Sequence, residues 1–366
     1  MRSIPIQPFC LRLSSLLFLT LLMGVNSGCA GKPLNEWTAS DPPLALVPVA
    51  DAGVDDRRGE FRNIFCEVLE SDGADWPDYR PCEEALVKVG TEPSSTRADI
   101  PPRREQTRLL TLLVPGVGWE CIEGWLKIDE ALKGLIRPFG EQTVILPVDG
   151  LSSSERNATM IRDYIMNLPP DLAERPILLI GYSKGAPDIL EAVVRYPELR
   201  QRVAAVLSAA GAIGGSPHAN SATQNQLNIM QYFPGSDCSE GDGGAVESLR
   251  PGVRRAWLAE NELPPDIRYY SLVTYPRPDR VSSALKSMYN KLSQVDSRND
   301  SQVIYYDQII PGSTLLGFVN ADHWALAVPI AREHQFIGST FVDKNDFPRE
   351  ALIEAVLRFV EADLNF

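Results

Sequence analysis

Pro176-Ile177-Leu178-Leu179-Ile180-Gly181-Tyr182-Ser183-Lys184-Gly185-Ala186 is an apolar run that passes through G-x-S-x-G into a helix-compatible stretch. A short, uninterrupted run of this kind suits a strand buried on both faces of a sheet. A serine at the following strand-to-helix turn sits in a strained bend that points its hydroxyl outward. The two glycines remove Cβ atoms that would clash in so tight a turn. A tight turn whose serine merely caps the next helix is the plainer reading of the same residues.

Working outward, further runs of the same texture occupy 109–114, 143–148, 203–207, 269–273 and 315–319, while 158–166, 189–195 and 351–360 show helical spacing. That alternation predicts a mostly parallel central sheet flanked by helices. Between 212 and 265 the rhythm lapses into polar, Gly-rich sequence with one helix expected near 245–260, which reads as a cap inserted over the sheet edge. Residues 29–105, rich in Pro, Asp and Glu, show only short periodic stretches at 61–69 and 83–89, so an irregular N-terminal extension is expected. The charged, Pro-containing 97–108 reads as a linker.

At the start, 1–12 carries Arg2 and Arg12 without an acidic residue, and 13–25 is an apolar run of 13 residues. That is short of the roughly twenty needed to span a bilayer, and the pattern of 1–28 is that of a signal peptide. Val25-Asn26-Ser27-Gly28-Cys29-Ala30 resembles the bacterial lipobox, with Asn26 where Leu is usual. The resemblance implies lipidation of Cys29 and a membrane anchor at the cell envelope; ordinary cleavage with a periplasmic or secreted product is the alternative. Four cysteines remain beyond Cys10 and Cys29, an even number that suits an oxidising compartment. Cys66 and Cys82 are the expected bridge, worth about 3 kcal/mol by loop closure, with Cys121 and Cys238 paired only by elimination. No C-x-x-C spacing occurs and no histidine lies near these cysteines, so no metal site is expected.

Composition bounds the partners. With 44% hydrophobic and 23% charged residues the chain is globular, and a net charge of -13 repels phosphate backbones, which argues against nucleic-acid binding.

A serine needs a base, and the chain offers His218, His323 and His334. His323 stands in Asn320-Ala321-Asp322-His323-Trp324-Ala325, directly after the run at 315–319. His218 precedes every plausible acid, and His334 lies in a charged stretch. Residues 106–366 resemble the α/β-hydrolase superfamily, and the later motifs are most similar to bacterial lipases and esterases. The order Ser, Asp, His agrees with that family. The resemblance implies an α/β-hydrolase fold with Ser183 as nucleophile and His323, on the loop after the last strand, as base. Asn299-Asp300-Ser301 is similar to the N-D-G turn that supplies the family's acid, with Ser301 in place of Gly; this favours Asp300 over Asp279, Asp307 and Asp322.

The same resemblance assigns the oxyanion donors to the backbone N–H groups of Lys184 and Val117. In Pro115-Gly116-Val117-Gly118-Trp119, Pro115 replaces the histidine common in the family. The Lys184 ammonium is expected to pair with Asp188 on a solvated helix face. The implied activity is a serine ester hydrolase, carboxylesterase- or lipase-like, acting without a cofactor on a small-molecule or lipid ester. Acyl transfer by the same triad and a non-catalytic envelope lipoprotein are the alternatives. A serine at the elbow argues against epoxide and haloalkane hydrolases, which use a carboxylate there.

Overall fold

The computed structural model describes residues 53–95, 100–102, 107–121, 143–222, 239 and 241–366; Cys29, the rest of the leader, and Cys238 lie outside them. Eight strands among these residues form one sheet: β1 (Asp55–Asp56), β2 (Leu86–Val87), β3 (Leu110–Val114), β4 (Thr143–Ile145), β5 (Ile177–Tyr182), β6 (Val203–Ala209), β7 (Arg268–Thr274) and β8 (Thr314–Val319). Their order is β1-β8-β7-β6-β5-β3-β4, with β2 also on β8. Every pairing is parallel except β2 with β8. Each of the six expected apolar runs is a strand.

Helices cover both faces, as runs without polar alternation require. Within β5, Ile177 and Leu179 turn to one apolar layer, which holds Ile161 and Ile165 of one helix and Ile189 and Val193 of another. Leu178 and Tyr182 turn to the opposite layer, with Phe61, Phe65 and Phe359. The helices include α1 (Arg58–Ser71), α2 (Ser154–Met166), α3 (Gly185–Arg195), α4 (Pro251–Glu260), α5 (Lys286–Leu292), α6 (His323–Ala327) and α7 (Arg349–Asp363); further short helices, Gln335–Thr340 among them, lie between them. Ser153 caps α2 by accepting from the Arg156 N–H.

The N-terminal extension differs from the irregular segment expected. From Asp55 it is part of the same core: α1 lies between β8 and α7, and Phe61, fully buried, meets the Phe65 and Phe359 rings at 6.4 and 6.1 Å. Arg57 joins Glu60 to Asp363 of α7, and Arg62 holds Glu92 and the Leu86 and Val87 carbonyls. Two short strands then share the outer edge of β8: Asp55 and Asp56 pair with Thr314 and Leu315, and Leu86 and Val87 with Val319 and Phe318. Edge strands this short present little backbone for another chain to pair with. Two-residue strands carry no periodicity, which is why the sequence pattern does not reveal them.

Cys66 and Cys82 are bridged, Cα to Cα 5.2 Å, tying α1 to the helical turn Cys82–Ala85. Cys121 is also disulfide-bonded. The single helix expected at 245–260 is two, Ala245–Ser248 and α4, because Pro251 has no N–H to continue a helix and is suited to begin one.

Candidate active site

The strand β5 delivers Ser183 at φ 54°, a left-handed backbone that a non-glycine residue rarely holds. Neighbours over-determine it. The Ser183 N–H donates to Ala209 O at 3.3 Å, and its carbonyl accepts from Ala212 N at 3.0 Å and Ala186 N at 3.3 Å. Both motif glycines are required by close approach: a Cβ at Gly181 would stand 2.4 Å from Ala186 Cα, and one at Gly185 would stand 2.0 Å from Val114 O.

The loop after β8 brings His323 to this serine, with Nε2 2.9 Å from Ser183 Oγ. On the other side of the ring, Nδ1 lies 2.7 Å from Asp300 Oδ2. Three residues separated by 140 and 23 positions thus form one hydrogen-bonded chain. The His323 N–H also donates to Asp300 O at 3.0 Å, so the acid turn holds the histidine's backbone as well as its ring.

No protein-family profile and no curated protein sequence matches the chain. Among solved structures, a metagenomic carboxyl esterase (MGS0156) is 36% identical over 91% of this chain and 100% of its own, with a TM-score of 0.81. The chain belongs to the α/β-hydrolase superfamily. A lipase of Bacillus licheniformis, in its mature form, is also similar at 17% identity, over 68% of this chain and 96% of its own, with a TM-score of 0.48.

In this α/β-hydrolase the other acids stand elsewhere. Asp279 is exposed. Asp322 caps α6 through Ala325 N at 2.9 Å and holds Ser282 N at 2.8 Å, a loop-structuring role. Asp307 is buried against Gly214, and desolvation pushes its carboxyl up to about 7. Asp300 receives the donors: Gln302 N at 2.9 Å and Val303 N at 2.7 Å on Oδ1, with the Thr274 hydroxyl and Gln308 Nε2 joining His323 on Oδ2. Ser301, where the family has Gly, sits at φ 82°, a backbone glycine would adopt freely.

His218 is in the helical turn Pro217–Asn220, its Nε2 3.2 Å from Ser301 O, and burial lowers its pKa to about 4; it braces the Asp300 turn as a neutral ring. Nothing brings it to Ser183.

On the opposite wall, a Cβ at Gly116 would lie 2.9 Å from Ser183 Cβ, which places the Pro115–Gly118 loop beside the hydroxyl. The amide N–H groups of Val117 and Lys184 have no hydrogen-bond acceptor among the described residues. The loop is tied down at Gly150: Gly118 N donates to its carbonyl at 3.2 Å, and its own N–H donates to Glu120 Oε1 at 2.7 Å. Burial raises the pKa of Glu120. The Lys184 ammonium does pair with Asp188, at 2.7 and 2.8 Å, but the pair is fully buried and shared with Asn157 Nδ2 rather than solvated. The i, i+4 spacing identifies the partners; it does not say which face of α3 they occupy.

Tyr182, the x before the serine, is missing from the sequence reading. Its hydroxyl donates to His323 O at 2.8 Å and the two rings are 5.1 Å apart. The hint available in sequence is a lone aromatic inside the motif.

Proposed function

We propose that this α/β-hydrolase is a serine ester hydrolase, carboxylesterase- or lipase-like, working through an acyl-enzyme. The observation that carries the reading is the Ser183–His323–Asp300 chain at 2.9 and 2.7 Å on a strained elbow. Similarity to a carboxyl esterase across its full length supports the ester class.

In the proposed cycle Ser183 Oγ attacks the ester carbonyl carbon while its proton passes to His323 Nε2. Asp300 holds Nδ1–H and stabilises the imidazolium that forms. The oxyanion takes the Val117 and Lys184 N–H groups, each such donor being worth about 3–4 kcal/mol in related enzymes. The tetrahedral intermediate collapses as His323 returns the proton to the leaving alkoxide. Water then attacks the acyl-enzyme with His323 as base, releasing the acid and restoring Ser183.

A series of p-nitrophenyl esters of increasing acyl length tests this. The wild-type chain should turn over part of the series and Ser183→Ala none of it above background. Turnover equal in both, or absent from both, would overturn the reading. Product analysis with added alcohol separates water from an alternative acyl acceptor.

We also propose that the enzyme is exported to a bacterial envelope and anchored through lipidated Cys29, on the strength of the leader sequence alone. Mass spectrometry of the mature N-terminus should find a diacylglyceryl Cys29, and Cys29→Ala should release the protein from membranes. An unmodified N-terminus elsewhere contradicts it. The Cys121–Cys238 pairing belongs to the same proposal and is read by non-reducing peptide mapping.

A further inference from the structure

Asp300 Oδ2 is crowded. Besides His323 Nδ1 it accepts from the Thr274 hydroxyl and from Gln308 Nε2 at 3.3 Å, all in a fully buried site. Gln308 is not a loose neighbour. Its amide reproduces the two hydrogen bonds of a strand partner at the open end of β7, with Oε1 accepting from Thr274 N at 2.7 Å and Nε2 donating to Thr274 O at 3.1 Å. These backbone contacts decide the amide's orientation, so it is the NH2 edge that faces the carboxylate. The Gln308 carbonyl is held in turn by Ser208 Oγ of β6 at 3.0 Å. The Thr274 hydroxyl has one proton, and the charged acceptor takes it in preference to Gln308 Oε1.

We propose that Thr274 and Gln308 are positioning residues of the relay: they fix the Asp300 carboxylate against β6 and β7 and share its charge, so that His323 meets an acid of fixed direction. The inference rests on the proposed serine-hydrolase reading for its kinetic consequence. The titratable groups facing Asp300 are His323, His218, Asp322 and Tyr182. None is altered by changes at Thr274 or Gln308.

Thr274→Val keeps the shape and deletes the donor; Gln308→Leu deletes the amide; Thr274→Ser restores the hydroxyl. With fewer donors the carboxylate charge concentrates on the oxygen facing the imidazolium. The acid limb of the kcat/KM–pH profile should therefore move to higher pH in Thr274→Val and Gln308→Leu, kcat should fall about tenfold with KM nearly constant, and Thr274→Ser should recover both. Proton NMR of the His323 Nδ1–H, recorded also in Ser183→Ala, reads the same relay without turnover. Its low-field resonance should shift in both donor-deleted variants and return in Thr274→Ser. Variants that lose thermal stability yet keep the wild-type acid limb and resonance would overturn the proposal. If the wild type hydrolyses no ester but the resonance moves as described, the hydrolase reading fails and the positioning role stands.

Discussion

The middle of the sheet and its β8 edge are built on opposite terms. At the central strand β5 a five-residue motif dictates geometry locally: Gly181 is forced by its 2.4 Å approach to Ala186 Cα, and Ser183 is held at φ 54° between the two glycines. At the β8 edge, residues 53–95 add two strands of two residues each and one helix, and their place is set by partners more than two hundred positions away, such as Asp363 for Arg57 and Thr314 for Asp55. Short-range sterics leave a signature in sequence. Long-range pairing of short elements leaves almost none.

The largest effect that would sharpen this contrast is at the acid. Asp300→Asn should leave the fold intact and lower kcat by about 10⁴, because the imidazole loses its orienting charge and the tautomer it needs. Asn replacements at Asp279, Asp307 and Asp322, assayed beside it on a short-chain ester, should retain most turnover. Collapse at one of these with a near-normal Asp300→Asn would move the acid elsewhere. At the β8 edge, Phe61→Ala should cost about 3–5 kcal/mol of stability by denaturant titration, since its ring is fully buried between Phe65 and Phe359. The folded fraction should keep wild-type kcat; a matching loss of kcat would mean that the two regions are coupled rather than separate.

A third test lies between them. Asp307 titrates at about 7 in the native protein because burial disfavours its charge. The unfolded chain releases that proton near 4. The native state thus binds more protons across this window, so the contribution of Asp307 to stability is greatest below about 4, falls as pH rises to about 7 and is constant beyond. Asp307→Asn should be close to neutral at pH 4 and stabilising at pH 8 by at most about 4 kcal/mol. A difference that does not vary with pH would show that the carboxyl keeps its charge throughout. The smallest effect is at Ser301, where Gly would relieve the φ 82° backbone. Relief of strain and the greater freedom of the unfolded glycine nearly offset, so Ser301→Gly should change stability by no more than about 1 kcal/mol and leave kcat unchanged. A fall in kcat would show that the serine hydroxyl does more than hold the turn.

Residue by residue, legibility follows the range of the interaction. The strands β3, β5, β6, β7 and β8 are readable because each is largely buried on both faces and therefore almost continuously apolar, whereas β4, three half-buried residues at the sheet edge, is readable only from its β-branched Thr143, Val144 and Ile145. The elbow is readable because G-x-S-x-G states its own sterics, and Asp300 because an N-D turn has local chemistry even with Ser301 in place of Gly. Tyr182, Thr274 and Gln308 are not readable: each reaches His323 or Asp300 through a side-chain contact, across 141, 26 and 8 positions of chain, that no local motif announces. Lys184 and Asp188 are half readable. Their spacing identifies the pair, whereas its burial depends on how α2 closes over α3 through Asn157.

The central claim is that Ser183 is the nucleophile of a charge-relay site. Treatment of the folded, full-length chain with a fluorophosphonate, followed by peptide mapping by mass spectrometry, tests it most directly. We predict one adduct per chain, on Ser183, forming far more slowly in His323→Ala and absent in Ser183→Ala. A folded chain left unmodified at Ser183, or modified at another residue in its place, would contradict the account.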